Sequence, residues 1–170
     1  MKQAVKTMAS GLIVASVGIV SNALAHHSFA MFDRSQELVM EGTVARWAFN
    51  SPHVAIYIEN TEGELWAFEG AAPAHIAGLG MTGFTFQPGE AVTVVVCPLR
   101  DGRQGGAIGY VIKEGDEDNF ENWFRPNDGG CGPSRDWGEW LAAGYRSRAE
   151  AEEALGIEPG DSPGGFGPPR

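Results

Sequence analysis

Between residues 38 and 113 the chain divides into five short β-prone segments, with one short helical segment between the third and fourth. This order constrains the fold more than any other feature. Segment 38–49 (LVMEGTVARWAF) is rich in β-branched and aromatic side chains, and Gly42 is placed to bend it. Ser51-Pro52 interrupts the pattern, because proline cannot donate to a strand ladder and restricts its predecessor. Segment 53–59 (HVAIYIE) alternates Val54, Ile56 and Ile58 against Ala55, Tyr57 and Glu59, the period of a half-buried strand. Asn60-Thr61-Glu62-Gly63 supplies a turn, and 64–69 (ELWAFE) returns as its hairpin partner. Segment 73–79 (PAHIAGL) predicts a short helix, with Pro73 in its first turn and Gly80 as the stop. After a turn at Gln87-Pro88-Gly89-Glu90 come a fourth strand, 91–98 (AVTVVVCP), a glycine-rich loop, 100–106, and a fifth strand, 107–113.

Three strands, a helix and two strands is the order of an OB-type Greek-key barrel. The expected class is therefore all-β: a small five-stranded OB-like barrel over 26–113, followed by a partly helical extension over 114–170. Closure also explains how so few residues protect their sheet edges. An open antiparallel sandwich is the alternative arrangement of the same pattern. The 24 glycines and 10 prolines suit short strands and tight turns rather than a helical bundle.

Residues 1–25 have the form of a secretory signal. Lys2 and Lys6 make a basic start, an apolar stretch follows from Gly11 to Val20, and Ala23-Leu24-Ala25 gives the small-x-small cleavage pattern. An uncleaved anchor is the alternative, but the apolar run is short and contains Gly11, Ser16 and Gly18. Cleavage after Ala25 removes both lysines and takes the formal charge from −10 to −12. The expectation is a periplasmic protein with no stable membrane insertion once trimmed. A charge of that sign argues against nucleic acid, whose phosphates need a cationic stripe.

Export permits thiol oxidation, so Cys97 and Cys131 are candidates for one disulfide tying the extension to the barrel; two separate thiols are the alternative. From Glu114 the composition turns acidic and aromatic. Asp136 is placed to cap a short helix carrying Trp137, Trp140 and Leu141, and Ser147-Arg148-Ala149-Glu150 has capping-box spacing for another. The final PGDSPGGFGPPR has the composition of a disordered end. The tryptophans have two readings. They are either exposed anchors of a partner-docking arm or, as large aromatics more often are, packed on the barrel or on each other.

Four histidines carry most of the chemistry on offer. His26 would lead the mature chain, where its α-amine and ring nitrogen chelate one metal ion together; His27 or His53 adds an imidazole. Such a nitrogen-rich set favours Cu(II). The alternative is a polar terminus with His53 bracing a turn, and His75, on the short helix, has the character of a surface residue. No GxSxG, HExxH, P-loop or dinucleotide fingerprint occurs. Glu69 and Asp101 are a conceivable acid/base pair, but loop carboxylates are usually solvated. Arg100-Asp101-Gly102 predicts a turn closed by an ion pair.

As a set, HHSFAMFD (26–33), EGTV (41–44), Pro52-His53, Trp66…Glu69…Pro73, the PGE and VTV around 88–94 and PLRDG..GG (98–106) resemble a family of small exported bacterial domains of unknown function. The resemblance covers 26–113. It implies a periplasmic β-rich domain in which His27, His53, Glu69, Arg100 and Asp101 occupy recurrent polar positions, the last three as ligand-binding candidates. Ser51 departs from it, standing where the family usually has Asn, and nothing carries over to the extension. Three functions follow, in order: a non-catalytic binding protein with copper or another metal on His26, His27 and His53; a module that binds a protein, peptide or small ligand without metal; and a copper-dependent oxidative enzyme.

Overall fold

A computed structural model describes residues 29–127 and 129–159. The expected signal segment, His26, His27 and the glycine-rich end from 160 lie outside the described residues. The strands are β1 (Leu38–Ala48), β2 (Ala55–Asn60), β3 (Leu65–Glu69), β4 (Ala91–Pro98) and β5 (Gly105–Lys113), and the short helix α1 is Pro73–Ala77. They close in the order β1-β2-β3-β5-β4. All neighbours are antiparallel except β3 and β5, which run parallel with Ala67 opposite Gly105 and Glu69 opposite Ala107. This is the expected OB-like barrel, and the open sandwich is excluded.

One long strand makes the closure possible. β1 pairs with β4 over its first half and with β2 over its second, and the two ladders overlap at Gly42 and Thr43. Gly42 sits where a Cβ would come within 2.4 Å of the Glu59 carbonyl oxygen, so only glycine permits β1 to cross β2 there. A bulge between Val44 and Arg46 adds further curvature. Inside the barrel, Val44, Ile56, Ile58, Phe68, Val94 and Ile108 pack around Phe86.

Several boundaries differ from expectation. β1 ends one residue early, β3 starts one residue late, and β2 runs 55–60 instead of 53–59, so that His53 lies ahead of it. The shifts in α1 and β5 have plain physical reasons. α1 stops at Ala77 because the next turns tighten: the amides of Gly78, Leu79 and Gly80 donate to carbonyls three residues back. β5 begins at Gly105, inside the predicted loop. A Cβ on Gly106 would lie 2.3 Å from the Cys97 carbonyl oxygen, so this glycine belongs to a close strand contact and not to a flexible turn.

The extension packs on the barrel. Two helices, α2 (Trp137–Ala142) and α3 (Arg148–Leu155), and the 120–124 segment cover the outer face of β4 and β5. Trp123, Trp137 and Trp140 are buried with Val95, Tyr110 and Ile112, so the docking-arm reading of these tryptophans is corrected: their apolar area is already spent on the sheet. This also explains why β4 is almost continuously apolar, since Val94 and Val96 face the barrel core while Val95 faces the helices. Burial pushes the Tyr110 hydroxyl up to about 12. Ser147 caps α3 as expected, accepting from the Glu150 amide, while the Glu150 carboxylate reaches back to the amide of Arg146. Asp136 does not cap α2 with its side chain, a second correction; its carboxylate instead accepts from the Ser134 hydroxyl at 3.3 Å.

Covalent and ionic ties hold the extension down. Cys97 and Cys131 are joined in a disulfide, both fully buried. The side chain of Glu37, just ahead of β1, is wholly buried and satisfied: it accepts from the Trp137 indole, from the Ser134 amide at 2.8 Å and from Arg148 Nη1 at 2.8 Å. Arg148 Nε also donates to Glu152 at 2.7 Å. Burial opposes the Arg148 charge, but the bonds to Glu152 and the charge of Glu37 outweigh it and raise its pKa.

Candidate functional site

His53 lies between the Ser51-Pro52 break and β2, and Glu69 is the last residue of β3. Val54 fixes the approach, its amide and carbonyl bonding across to Ala71 and Gly70 at 2.9 Å each. Glu69 stands opposite Ala55, so the side chain two residues earlier on the same face meets it diagonally. The result is a direct His53 Nδ1–Glu69 Oε1 contact between partly exposed side chains. An ionised carboxylate only accepts, so in this contact Nδ1 is the donor and Nε2 is directed away from Glu69.

This pair opens into a cleft of about 450 Å³, lined also by Met31, Phe32, Tyr57 and Arg103. The leading segment forms one wall because it is pinned to the barrel. Phe32 is buried against Cys97, Ala107 and Cys131 and bridges to Leu99. The Asp33 amide donates to the Pro98 carbonyl at 2.8 Å, and the Arg100 amide to the Met31 carbonyl at 2.9 Å.

The sequence candidates therefore separate into three places. His53 and Glu69 come together. Arg100 serves the leading segment instead: its Nε donates to the Ala30 carbonyl at 3.1 Å and its guanidinium lies 3.6 Å from Asp33. Asp33 is held below the usual carboxylate range, first by the Ser35 hydroxyl and also by Arg100. Asp101 pairs with Arg103 at 2.8 Å, both exposed, and this bond leads the lowering of its pKa. The turn at 100–102 exists, with Gly102 at φ +75°, but the ion pair expected within it is corrected: Arg100 and Asp101 face different partners. Glu69 and Asp101 do not meet: the first contacts His53 and the second Arg103.

His75 is exposed, on the rim of a larger cleft of about 860 Å³ formed with Lys113, Trp123 and Arg125. Among the described residues no group of three or more His, Cys, Asp or Glu is arranged to hold a metal ion, and no helix is long and apolar enough to cross a membrane. Sequence reasoning did not single out Met31, Tyr57 or Arg103. The position of Met31 inside HHSFAMFD, four residues after His27, was the available signal for the first of them.

A family model described as a family of unknown function, DUF6152, matches residues 13–108. The chain belongs to that family. No curated protein and no solved structure matches it. The DUF6152 match takes in His53, Glu69, the pinned leading segment and the 100–103 turn, and it ends inside β5. The helices that cover the outer face lie beyond the matched residues.

Proposed function

We propose that this DUF6152 chain is exported to the periplasm, trimmed after Ala25, and acts there as a non-catalytic metal-binding protein. His26 contributes its amine and ring, His27 and His53 contribute imidazoles, and copper is the metal such a nitrogen set favours. The observation that carries this reading is the Glu69 carboxylate on His53 Nδ1. Metal-ligating histidines characteristically give their second ring nitrogen to a carboxylate, which fixes the tautomer and raises ligand basicity. A second fact supports it: Met31 and Phe32 line the same cleft, and His27 lies only two residues ahead of the short 3-10 turn Phe29–Met31 at which the described leading segment begins. The test is a Cu(II) titration of the mature protein. One equivalent should bind, His26→Ala and His27→Ala should each weaken it, and Glu69→Gln should cost about 10–100-fold in affinity. Unchanged affinity in both histidine variants, or a native terminus other than His26, would remove the proposal.

A second reading, a module that binds a small ligand, is favoured by the 860 Å³ cleft, which is of drug-like size and combines Leu79, Met81 and Phe124 with the cations of Lys113 and Arg125 and the carboxylates of Asp116 and Glu121. Among the described residues Arg125 makes no ion pair. An anionic aromatic dye should then bind at one site and be weakened several-fold by Arg125→Ala; absence of saturable binding would dismiss this reading.

A further inference from the structure

We propose that the 860 Å³ cleft takes a short peptide with free termini and apolar side chains, its amino end on Glu121 and its carboxylate on Arg125. The inference rests on the small-ligand reading above, whose ligand class it names, and is independent of the metal site. Glu121 and Arg125 line this one cleft with opposite charges. Yet among the described residues neither makes an ion pair, with the other or with any third group. The other charges of the cleft are occupied: Lys113 Nζ bonds Glu90 at 3.1 Å, and the Asp116 carboxylate accepts from the Asn122 side-chain amide at 2.7 Å.

The two unpaired charges flank an anchored stretch of backbone. The amide and carbonyl of Phe124 both bond to Val111, at 2.9 and 2.8 Å, and the buried Trp123 donates its indole N–H to the Asp116 carbonyl at 3.0 Å. A backbone fixed in this way leaves less to be ordered when a ligand arrives. The rest of the wall is apolar. Met81 is buried, whereas Leu79 is 57% exposed on the same cleft, apolar surface that a ligand side chain would cover. A purely anionic ligand leaves Glu121 unanswered and a purely cationic one leaves Arg125; a zwitterion with an apolar body answers both. Glu121 and Arg125 are four residues apart, at most roughly 14 Å of chain, and a peptide of about two to four residues covers that span by the same measure.

The experiment is isothermal titration calorimetry on the mature protein with trileucine, N-acetyl-trileucine and trileucine amide as probes. Trileucine should bind saturably at one site, and blocking either end should weaken it about fivefold, the measure of one half-exposed ion pair. Arg125→Gln should weaken trileucine to the same degree but leave the amide within about twofold of its wild-type affinity, because that probe has already lost the contact. Glu121→Gln should behave in the same way towards trileucine and the N-acetyl form. Capped probes that bind as tightly as trileucine overturn recognition of the termini while leaving a ligand cleft standing. Equal weakening of all three probes in both variants overturns the assigned contacts, since a merely loosened fold does the same. No saturable binding of any of the three overturns the inference; if the anionic dye fails as well, the small-ligand reading falls with it.

Discussion

A chain ending at Lys113 is expected not to fold into a stable barrel, although all five strands are complete at that point. Truncation there removes three things at once. The disulfide that anchors the extension to β4 is lost, and Cys97 is left as an unpaired thiol beside Phe32 and Ala107. Glu37 loses Trp137, the Ser134 amide and Arg148 together and faces solvent or stays buried without partners. The outer sides of Val95, Tyr110 and Ile112 lose the tryptophans that cover them, and each large apolar side chain exposed costs about 1.5–3 kcal/mol. Small domains are stable by only about 5–15 kcal/mol in total. Far-UV circular dichroism with a thermal melt decides the matter. A 26–113 fragment that unfolds cooperatively within a few degrees of the mature protein would show that the extension is an accessory and not part of the folding unit.

Glu37→Ala is expected to destabilise the intact protein by about 3–5 kcal/mol, because it leaves the buried Arg148 guanidinium short of a counter-charge and strips acceptors from the Trp137 indole and the Ser134 amide. The midpoint of urea unfolding measures this directly. A loss below 1 kcal/mol would mean that Glu152 and water replace the missing carboxylate without strain. The double variant Glu37→Met with Arg148→Met sharpens the result: removing both charges should recover part of the stability lost by Glu37→Met alone, since much of the single-variant cost is the stranded partner. The same substitutions should leave the His53–Glu69 contact in place, as it belongs to β2 and β3 and not to the covered face.

The barrel was largely legible because each of its signals is local. The 91–98 run coincides with β4, alternation located β2, and Gly42 marked the place where β1 changes partners. The disulfide was legible from two cysteines in an exported-looking chain, given that only one pairing exists. Glycine misled where it does two jobs: Gly105 and Gly106 have a loop composition, yet they are in β5 because the backbones of β3 and β4 approach too closely for a side chain. Glu37 was illegible for a different reason. Its partners are 97 to 111 residues away, and a single acidic residue before a strand has no pattern that announces burial. Of the site, His53 and Glu69 were both named but their contact was not, since it depends on the diagonal register of β2 and β3. Arg100 and Asp101 were named with the wrong partners, because adjacency in a turn does not say which way each side chain leaves it.

The cylinder that β1 and β4 complete has one consequence for recognition. Many proteins capture an extended peptide by letting it join a sheet as one more strand, with main-chain bonds supplying much of the affinity. Here every strand has a neighbour on both sides over part of its length, and unpaired strand edge is confined to short stretches, such as β1 beyond Thr43 on the β4 side and β5 beyond Ala107 on the β3 side. A guest strand longer than those stretches would have to displace a barrel neighbour first.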